Sequence, residues 1–323
     1  MKRRSMISVA GGVTLAVALP VRAQTPPKVY RIGVLTRGLP RAYFLLPAAL
    51  AALGYEEGRN IMFDYRSAEG QPERVPALAA DLVAQNVDLI VAISNTEVAA
   101  AKRATSTIPI LMMYGAVPVE IGLIASYARP GANVTGTTVH GPETAAKMLQ
   151  LLRDTVPPLK RVAVLLDRDN PGLQPYIRAS EKAAVAMGIQ MPLLDTRTVA
   201  DLEAALARIV RERPDALYVV MGGTNVGHSA QIIEFAARQR LPAIYTDKSS
   251  IADGRLMSYA YNGDDLVKRA AAIADRILKG AKPADIPVEQ PTKMDFAINL
   301  KTAKAMGLTI PQSVRLQATE VIE

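Results

Sequence analysis

The sequence predicts an α/β protein with two similar lobes, each built on a doubly wound parallel sheet. Short runs rich in β-branched residues alternate with alanine-rich stretches that have apolar residues at helical spacing. The alternation starts again near residue 160, after the stretch "NVTGTTVHGPE". The chain has 323 residues, of which 50% are hydrophobic, and this exceeds what one core comfortably holds. Two α/β lobes are therefore expected.

In the first half, four runs predict strands: "YRIGVLT", "NIMFDYRS", "VDLIVAIS" and "IPILMMY". The stretches between them, such as "PERVPALAADLVAQN" and "TEVAAAKRAT", predict helices. Short apolar strands that alternate with helices of this length are typical of a parallel sheet covered by helices on both faces.

The second half repeats the pattern with the strands "KRVAVLLD", "GIQMPLLD", "DALYVVMG" and "LPAIYTD". The helices "PGLQPYIRASEKAAVAMG" and "VADLEAALARIVRER" lie between them, and the helix "LVKRAAAIADRILKG" follows the strand-like run "GRLMSYAYNGDD". The tail "PVEQPTKMDFAINLKTAKAMGL" does not fit a simple end of the second lobe. A chain that returns late to its first lobe would explain this tail.

Residues 1–23 predict a signal for export. Lys2, Arg3 and Arg4 precede an apolar stretch, and small residues favour cleavage after Ala23. The stretch is short for a membrane span of roughly 20 residues, and both the general secretory and the twin-arginine routes fit it. Because the chain has no cysteine, it can carry neither an N-terminal lipid nor a disulfide. We expect a mature protein that is free in the periplasm.

The charge pattern argues against a nucleic-acid partner. The formal net charge is +8, and four basic residues lie within residues 1–23, which leaves +4 on the mature chain. The remaining basic residues are scattered among acidic ones and are not grouped with aromatic residues. A small molecule is the expected partner.

The stretch "VVMGGTNVGHS" has the glycine spacing of a phosphate-binding loop, but His228 stands where that loop needs lysine. Its glycines predict a tight turn or a close backbone approach to a ligand. There is no G-x-S-x-G motif, no dinucleotide fingerprint, and no metal-ligand spacing between His140 and His228. We therefore predict no catalytic residue, metal or cofactor. A secreted enzyme acting on a small molecule in a cleft between the lobes stays open as the alternative, because such a site leaves no motif. A sugar-responsive repressor core would need a DNA-binding headpiece where the export signal lies.

Ligands of open parallel sheets lie beyond the carboxyl ends of the strands. Ser94 and Glu97 have the spacing of a capping box, and a capped helix start also offers N–H groups to a carboxylate. Asn170 before Pro171 predicts a second cap. The candidate binding residues are Thr36, Arg37, Ser94, Asn95, Thr96, Tyr114, Asn170, Gly223, Thr224 and Asp247.

The stretches "LGYEEGRN", "RPGANVTG" and "INLKTAKAMGL" resemble the ABC transporter substrate-binding protein family typified by tryptophan- and tyrosine-binding lipoproteins. The resemblance extends over almost the whole mature chain. It implies a type I periplasmic-binding fold, in which two lobes are joined by three crossovers and hold the ligand between them. The crossovers would lie near Thr137–Val139, Tyr259–Gly263 and Val288–Pro291.

The lobes implied by the resemblance are residues 29–138 with 263–288, and residues 139–262 with 291–323. The implied function is that of a monomeric receptor, without catalysis, that delivers a small carboxylate-bearing ligand to an ABC permease. Both amino acids and aromatic or other organic acids fit this description.

The sequence departs from the family in two loops. Gly222 and Gly223 stand where the family often carries Asn and Asp, and Arg37 and Arg41 are additional cations. These changes predict a ligand with more negative character than a zwitterionic amino acid. Asp247 matches an acid of the family, which keeps an amino-acid ligand open.

The most specific expectation concerns a ligand carboxylate. We expect it to lie between the Ser94–Thr96 helix start and Arg37, whose guanidinium could form two parallel hydrogen bonds with it. The alternative is that Arg37 lies on the rim and pairs with a surface acid. Three aromatic residues could supply a stacking surface: Tyr43, Phe44 and Tyr114.

Overall fold

One parallel and one mostly parallel sheet, each covered by helices, form the centres of two lobes. The computed structural model describes residues 28–38, 42–139, 141, 143–248, 251–291 and 293–323, without the side chains of residues 42–44, 143 and 171. The predicted export signal, Arg41 and His140 lie outside the described residues, and so do the side chains of Tyr43 and Phe44.

The first lobe has a five-stranded sheet. Its strands are β1 (Tyr30–Thr36), β2 (Ile61–Ser67), β3 (Leu89–Ala92), β4 (Ile110–Gly115) and β5 (Val134–Thr138). They pair in the order β2-β1-β3-β4-β5, and every pair is parallel. The helices between them are α1 (Ala42–Ala51), α2 (Val75–Ala84) and α3 (Asn95–Ala104).

The second lobe starts with α4 (Glu143–Thr155) and has a seven-stranded sheet. Its strands are β6 (Val162–Leu166), β7 (Leu193–Asp195), β8 (Ala216–Val219), β9 (Ala243–Tyr245), β10 (Met257–Tyr261), β11 (Met294–Asn299) and β12 (Glu320–Ile322). Its other helices are α5 (Gln174–Met187), α6 (Val199–Glu212), α7 (Thr224–Gly227), α8 (Ser229–Gln239), α10 (Leu300–Met306) and α11 (Gln312–Arg315).

The two sheets share one strand order. The second sheet runs β12-β11-β10-β9-β8-β6-β7, so the series β7-β6-β8-β9-β10 repeats the order of the first lobe. The prediction of parallel sheets holds for this shared part. It misses one feature, since β11 runs antiparallel to β10 and adds an edge to the second sheet together with β12.

Helix α9 (Gly263–Leu278) returns the chain to the first lobe. Its buried face, which includes Val267, Ala270 and Ile277, packs in one core cluster with Ile32 and Leu50 of the first lobe. The chain thus passes between the lobes after β5, between β10 and α9, and before β11. The tail after α9 then enters the second lobe again as β11 and α10, so the late return to the first lobe is made by α9 and not by most of the tail.

The strand order places the cleft. In such sheets the crevice for ligands lies where the strand order reverses, beyond the carboxyl ends of the two central strands. In the first lobe these strands are β1 and β3, and the residues just beyond their ends include Arg37 and Ser94. In the second lobe they are β6 and β8, which are followed directly by Asp167 and Val220. The two sets of strand ends face each other.

Helix α6 shows how local sequence sets a helix start. The Thr198 hydroxyl accepts a hydrogen bond from the Asp201 N–H (3.2 Å), and the Asp201 carboxylate accepts one from the Thr198 N–H (3.0 Å). Loss of such a cap costs about 1 kcal/mol. We expect Thr198→Ala to lower the free energy of unfolding in urea by this amount and Thr198→Ser to keep most of it. An alanine variant as stable as the serine variant would contradict the role of the cap.

Candidate functional site

A cavity of about 510 Å³ lies between the lobes. The first lobe contributes strand ends and the start of α3, and the second lobe contributes the loops after β6, β8, β9 and β10. Much of the wall is apolar. Its apolar residues include Leu45, Ile93, Val117, Val139, Leu173, Val220, Met221, Val226, Ile251 and Met294. Such a wall, with a few polar groups, is typical of a site for a small organic molecule.

The N-terminus of α3 points into this cavity, but its capping box does not form. Ser94 is the N-cap residue, yet its side chain makes no capping hydrogen bond to the helix backbone. Its hydroxyl bonds instead to the Glu97 carboxylate, whose other oxygen accepts the Arg37 N–H (2.9 Å). The predicted box is wrong because Glu97 has a tertiary partner. The first helical hydrogen bond is donated by Val98 to the Ser94 carbonyl, so the N–H groups of the first turn precede the helical ladder.

Asn95 joins the helix start to the loop after β4. Its amide donates to the Ala116 carbonyl and accepts from the Ala116 N–H, both at 2.9 Å. The side chain also lies against Gly172 of the second lobe, where a Cβ atom would overlap it. Asn95 is therefore fixed in place and forms part of the contact between the lobes.

Arg37 does not lie on the rim, and it already has protein partners. It is 4% exposed, and its Nη1 lies 2.5 Å from Asp167 Oδ2 of the second lobe. Its Nε lies 3.8 Å from Glu97 Oε1. The rim alternative is wrong because the whole side chain is buried between the lobes. The structure also gives the guanidinium a different partner from the expected ligand carboxylate.

Among the side chains that the structure describes, four tyrosines form the aromatic part of the wall. They are Tyr114, Tyr176, Tyr259 and Tyr261. The rings of Tyr114 and Tyr261 are 6.0 Å apart and tilted by 32°. Burial raises the pKa of Tyr261 well above its usual value of 10.0, and Tyr114 and the Asp247 charge raise it further. Burial likewise raises the pKa of Tyr259. Both phenols are neutral near pH 7.

The charged groups of the wall are mainly acidic. Among the described residues that line the cavity, the acids are Glu97, Asp247, Asp264 and Glu320, and the bases are Arg37 and Lys248. Their formal sum is −2, which does not support the expectation of a ligand with more negative character than a zwitterionic amino acid. Glu97 and Asp167 neutralise the charge of Arg37, while Arg41, the second cation of that expectation, lies outside the described residues.

Asp247 is held by a buried arginine. Arg255, which is 1% exposed, donates from Nη1 to the Asp247 carbonyl (2.5 Å) and to its carboxylate (2.8 Å). Its Nη2 donates to the Ser229 hydroxyl (2.8 Å), and its guanidinium lies over the ring of Tyr245. The carboxylate therefore has a defined position on the cavity wall.

The loop after β8 faces the cleft, as predicted. Gly222 and Gly223 line the cavity, and Gly223 has a φ of +48°, which favours glycine. Its backbone lies against the Arg37 guanidinium, where a Cβ atom would overlap the side chain. The close approach that we expected toward a ligand is thus made toward Arg37.

The structure brings eight of the candidate residues together on the cavity wall: Thr36, Arg37, Ser94, Asn95, Tyr114, Asn170, Gly223 and Asp247. Asn170 caps a 3₁₀ turn, with its side-chain oxygen accepting the Gly172 N–H (3.0 Å). Thr96 and Thr224 are not among the lining residues. Thr224 is buried, and its hydroxyl donates to the Arg197 carbonyl (2.8 Å).

Several residues of the cavity wall were not predicted from the sequence. Tyr259 and Tyr261 lie two positions apart on β10, so their alternation on one face of a strand was an available signal. Asp264 follows at the start of α9. Tyr176 lies in α5 and had no distinguishing local pattern.

Comparisons with known proteins show the family of this chain. The model of the family described as ABC transporter substrate binding protein matches residues 39–322. The chain belongs to the ABC transporter substrate-binding protein family. This substrate-binding protein is 28% identical over 267 residues to a tyrosine-binding protein of Clostridioides difficile, covering 80% of the chain and 74% of that relative.

Two solved structures are similar to this substrate-binding protein over 91% of its length and 100% of theirs. One is a conserved domain protein from Vibrio cholerae, with 26% identity and a TM-score of 0.82. The other is an ABC domain from Streptococcus pneumonia in complex with L-Trp, with 25% identity and a TM-score of 0.81. A likeness at lower identity (13%, TM-score 0.60) to a 5-methylthioribose transporter solute-binding protein from Thermotoga lettingae supports the fold alone.

These comparisons confirm the family and the type I periplasmic-binding fold that the resemblance implied. Members of this family bind substrates for transport, and they are typically extracellular or periplasmic. Within the part of the chain that the structure describes, no helix has the length and apolar character to cross a bilayer.

Proposed function

We propose that this protein is a periplasmic receptor that binds an aromatic amino acid as its zwitterion and delivers it to an ABC permease. The observation that carries the proposal is the cavity itself, which combines tyrosine rings, the N-terminus of a helix and carboxylates on one wall. These are the three kinds of group that a zwitterion with an aromatic side chain requires.

The N-terminus of α3 is the proposed site of the ligand carboxylate. The N–H groups of its first turn and the partial positive charge of the helix favour an anion there. The interaction with the helix dipole contributes up to ~2 kcal/mol in a partly buried site. Arg37 stays with Glu97 and Asp167. The helix start alone is therefore the proposed site of the ligand carboxylate, without the guanidinium that the sequence led us to expect beside it.

The acidic wall is the proposed site of the ligand ammonium. Asp247 is the proposed partner, because it lines the cavity and the buried side chain of Arg255 fixes its position. Asp264 also lines the cavity, but it is exposed and adds only to the general negative charge. A wall with a net negative charge disfavours a purely anionic ligand, so we choose an amino acid over an organic acid.

The ligand side chain is proposed to lie among Tyr114, Tyr176, Tyr259 and Tyr261. Offset or edge-on aromatic pairs contribute about 0.5–1.5 kcal/mol beyond the area they bury. A relative named for tyrosine binding and a structural neighbour solved with L-Trp support an aromatic side chain.

The test starts with the molecules that co-purify with the protein, identified by mass spectrometry after denaturation. Calorimetry on the refolded, ligand-free protein then compares L-Trp, L-Tyr and benzoate. We expect at least one of the two amino acids to bind at least 100-fold more tightly than benzoate, since only the amino acids supply both charges. Tighter binding of benzoate, or chemical turnover of the bound molecule, would refute the proposal.

A further inference from the structure

Three buried charges meet at the contact between the lobes. Arg37 and Glu97 belong to the first lobe, Asp167 belongs to the second, and the three residues are 4%, 2% and 5% exposed. The ion pair from Arg37 Nη1 to Asp167 Oδ2, at 2.5 Å, crosses the cleft. It joins the strand ends of β1 and β6, which are the corresponding central strands of the two sheets.

Each partner is held in place by its own lobe. On the first lobe, Glu97 accepts the Arg37 N–H at 2.9 Å and also bonds to the Ser94 hydroxyl. On the second lobe, Asp167 Oδ1 accepts the Asp169 N–H at 3.1 Å. The charges therefore have their positions before they meet, so little ordering of side chains opposes the contact.

Two glycines of the second lobe leave space for side chains of the first lobe at this contact. Gly223 of the second lobe lies against the Arg37 guanidinium, and a Cβ atom there would overlap it. Gly172 of the second lobe lies against the Asn95 amide in the same way. Glycines on one lobe thus receive side chains of the other, and these contacts can exist only when the lobes are close together.

We propose that Arg37 and Asp167 form a clasp, an ion pair between the lobes that shifts the open–closed equilibrium toward closure and does not itself hold the ligand. The contact is made by two protein side chains, so it contributes to every closed molecule, with or without ligand. Its effect on ligand affinity rests on the proposed function, while its effect on closure does not. Arg37 and Asp167 are positioning residues, because they act on the arrangement of the lobes and do not contact the ligand.

The clasp lies next to the proposed site of the ligand carboxylate. Ser94 and Glu97 line the cavity at the start of α3, and Glu97 bonds to the backbone of Arg37. A ligand at the helix start therefore lies beside Glu97, and Glu97 in turn contacts Arg37 of the clasp. Closure that is already favoured slows ligand release, because opening must break the clasp.

The experiment measures the distance between the lobes by double electron–electron resonance. The sequence has no cysteine, so two introduced cysteines carry the only spin labels. Suitable exposed positions are Arg103 on α3 and Lys182 on α5, one on each lobe. In the ligand-free protein we expect both a short and a long distance.

Asp167→Ala should lower the ratio of the short to the long population about thirtyfold or more, which is the effect of removing one partner of a desolvated charge pair. Arg37→Lys should lower it less, because lysine keeps the charge but loses the planar fork. The matched control is Asp169→Ala, which removes an exposed pair with Arg197 inside the second lobe and should leave the ratio unchanged. Thermal unfolding of each variant checks that it is folded.

Two results would overturn the clasp: a ligand-free protein with the long distance alone, or equal ratios for Asp167→Ala and Asp169→Ala. With L-Trp as the probe, Asp167→Ala should raise the dissociation rate and leave the association rate within about threefold, as in most interface variants. If L-Trp fails to bind any variant while the distance ratios change as expected, the proposed ligand is wrong and the clasp stands.

Discussion

Gly172→Ala is expected to weaken binding of the aromatic amino acid by about 3 kcal/mol, or roughly 150-fold. In the closed arrangement a Cβ atom on this residue would overlap the Asn95 amide and lie 3.0 Å from the Ala116 carbonyl oxygen. Neither neighbour can move freely, because two hydrogen bonds of 2.9 Å join Asn95 to Ala116. Closure would have to break these bonds, at a net cost of about 1 kcal/mol each, or stop short.

The same substitution should leave the second lobe stable. The backbone of Gly172 lies in a 3₁₀ turn without a left-handed conformation, and the neighbours of the added methyl group belong to the first lobe. The free energy of unfolding of the ligand-free protein should therefore change little. The substitution would then lower the affinity for the ligand without lowering the stability of the protein. A general folding defect would lower both.

The measurements are calorimetry with L-Trp and solution scattering with and without it. Gly227→Ala is the control, since a Cβ atom there meets no protein atom within 4 Å. We expect the control to bind and to become compact as the unmodified protein does, and the Gly172 variant to stay extended. Binding by Gly172→Ala within about threefold of the unmodified protein would show that the cleft does not close on this contact.

Much of the fold followed from local pattern. The run "YRIGVLT" coincides with β1, and "VADLEAALARIVRER" exceeds α6 by one residue, Arg213. Strand and helix periods are properties of neighbouring residues, so they are readable without an alignment. The antiparallel β11 was missed because strand direction depends on where the chain returns from α9, which no local pattern encodes.

The candidate site was less predictable, since its contacts join residues distant in the sequence. The Ser94–Glu97 spacing predicted a capping box that does not form, because Glu97 accepts a hydrogen bond from the backbone of Arg37, 60 residues away. Likewise the sequence shows the charge of Arg37, which predicts an anionic ligand, but it does not show that Asp167 lies beside the guanidinium. A sequence indicates which charges exist, while their pairing depends on which strand ends the fold brings together.

Asp247→Asn should weaken binding of L-Trp at least thirtyfold, because the carboxylate is the proposed partner of the ligand ammonium. The side chain is 34% exposed on the cavity wall, and its charge helps to raise the pKa of the neighbouring Tyr261. The charge thus acts on groups in the cavity as well as on Arg255. Asparagine keeps the size of the side chain and an oxygen that can accept from Arg255, so the loop should keep its position.

The matched control is Asp264→Asn, which removes an exposed carboxylate from the same wall. An exposed charge contributes about 1 kcal/mol or less, so the expected change in affinity is less than about fivefold. Equal losses in the two variants would mean that the ammonium interacts with the general negative charge of the wall. It would then have no particular partner in Asp247.

Indole-3-propionate completes the test, since it keeps the ring and the carboxylate of L-Trp and lacks the amino group. The unmodified protein should bind L-Trp at least thirtyfold more tightly than this analogue, and Asp247→Asn should bind the two with nearly equal affinity. The loss of preference isolates the contact between the two charges from any change in the shape of the cavity. If the Asn variant keeps the full preference for L-Trp, the amino group binds elsewhere, and Asp247 acts only as the partner of Arg255.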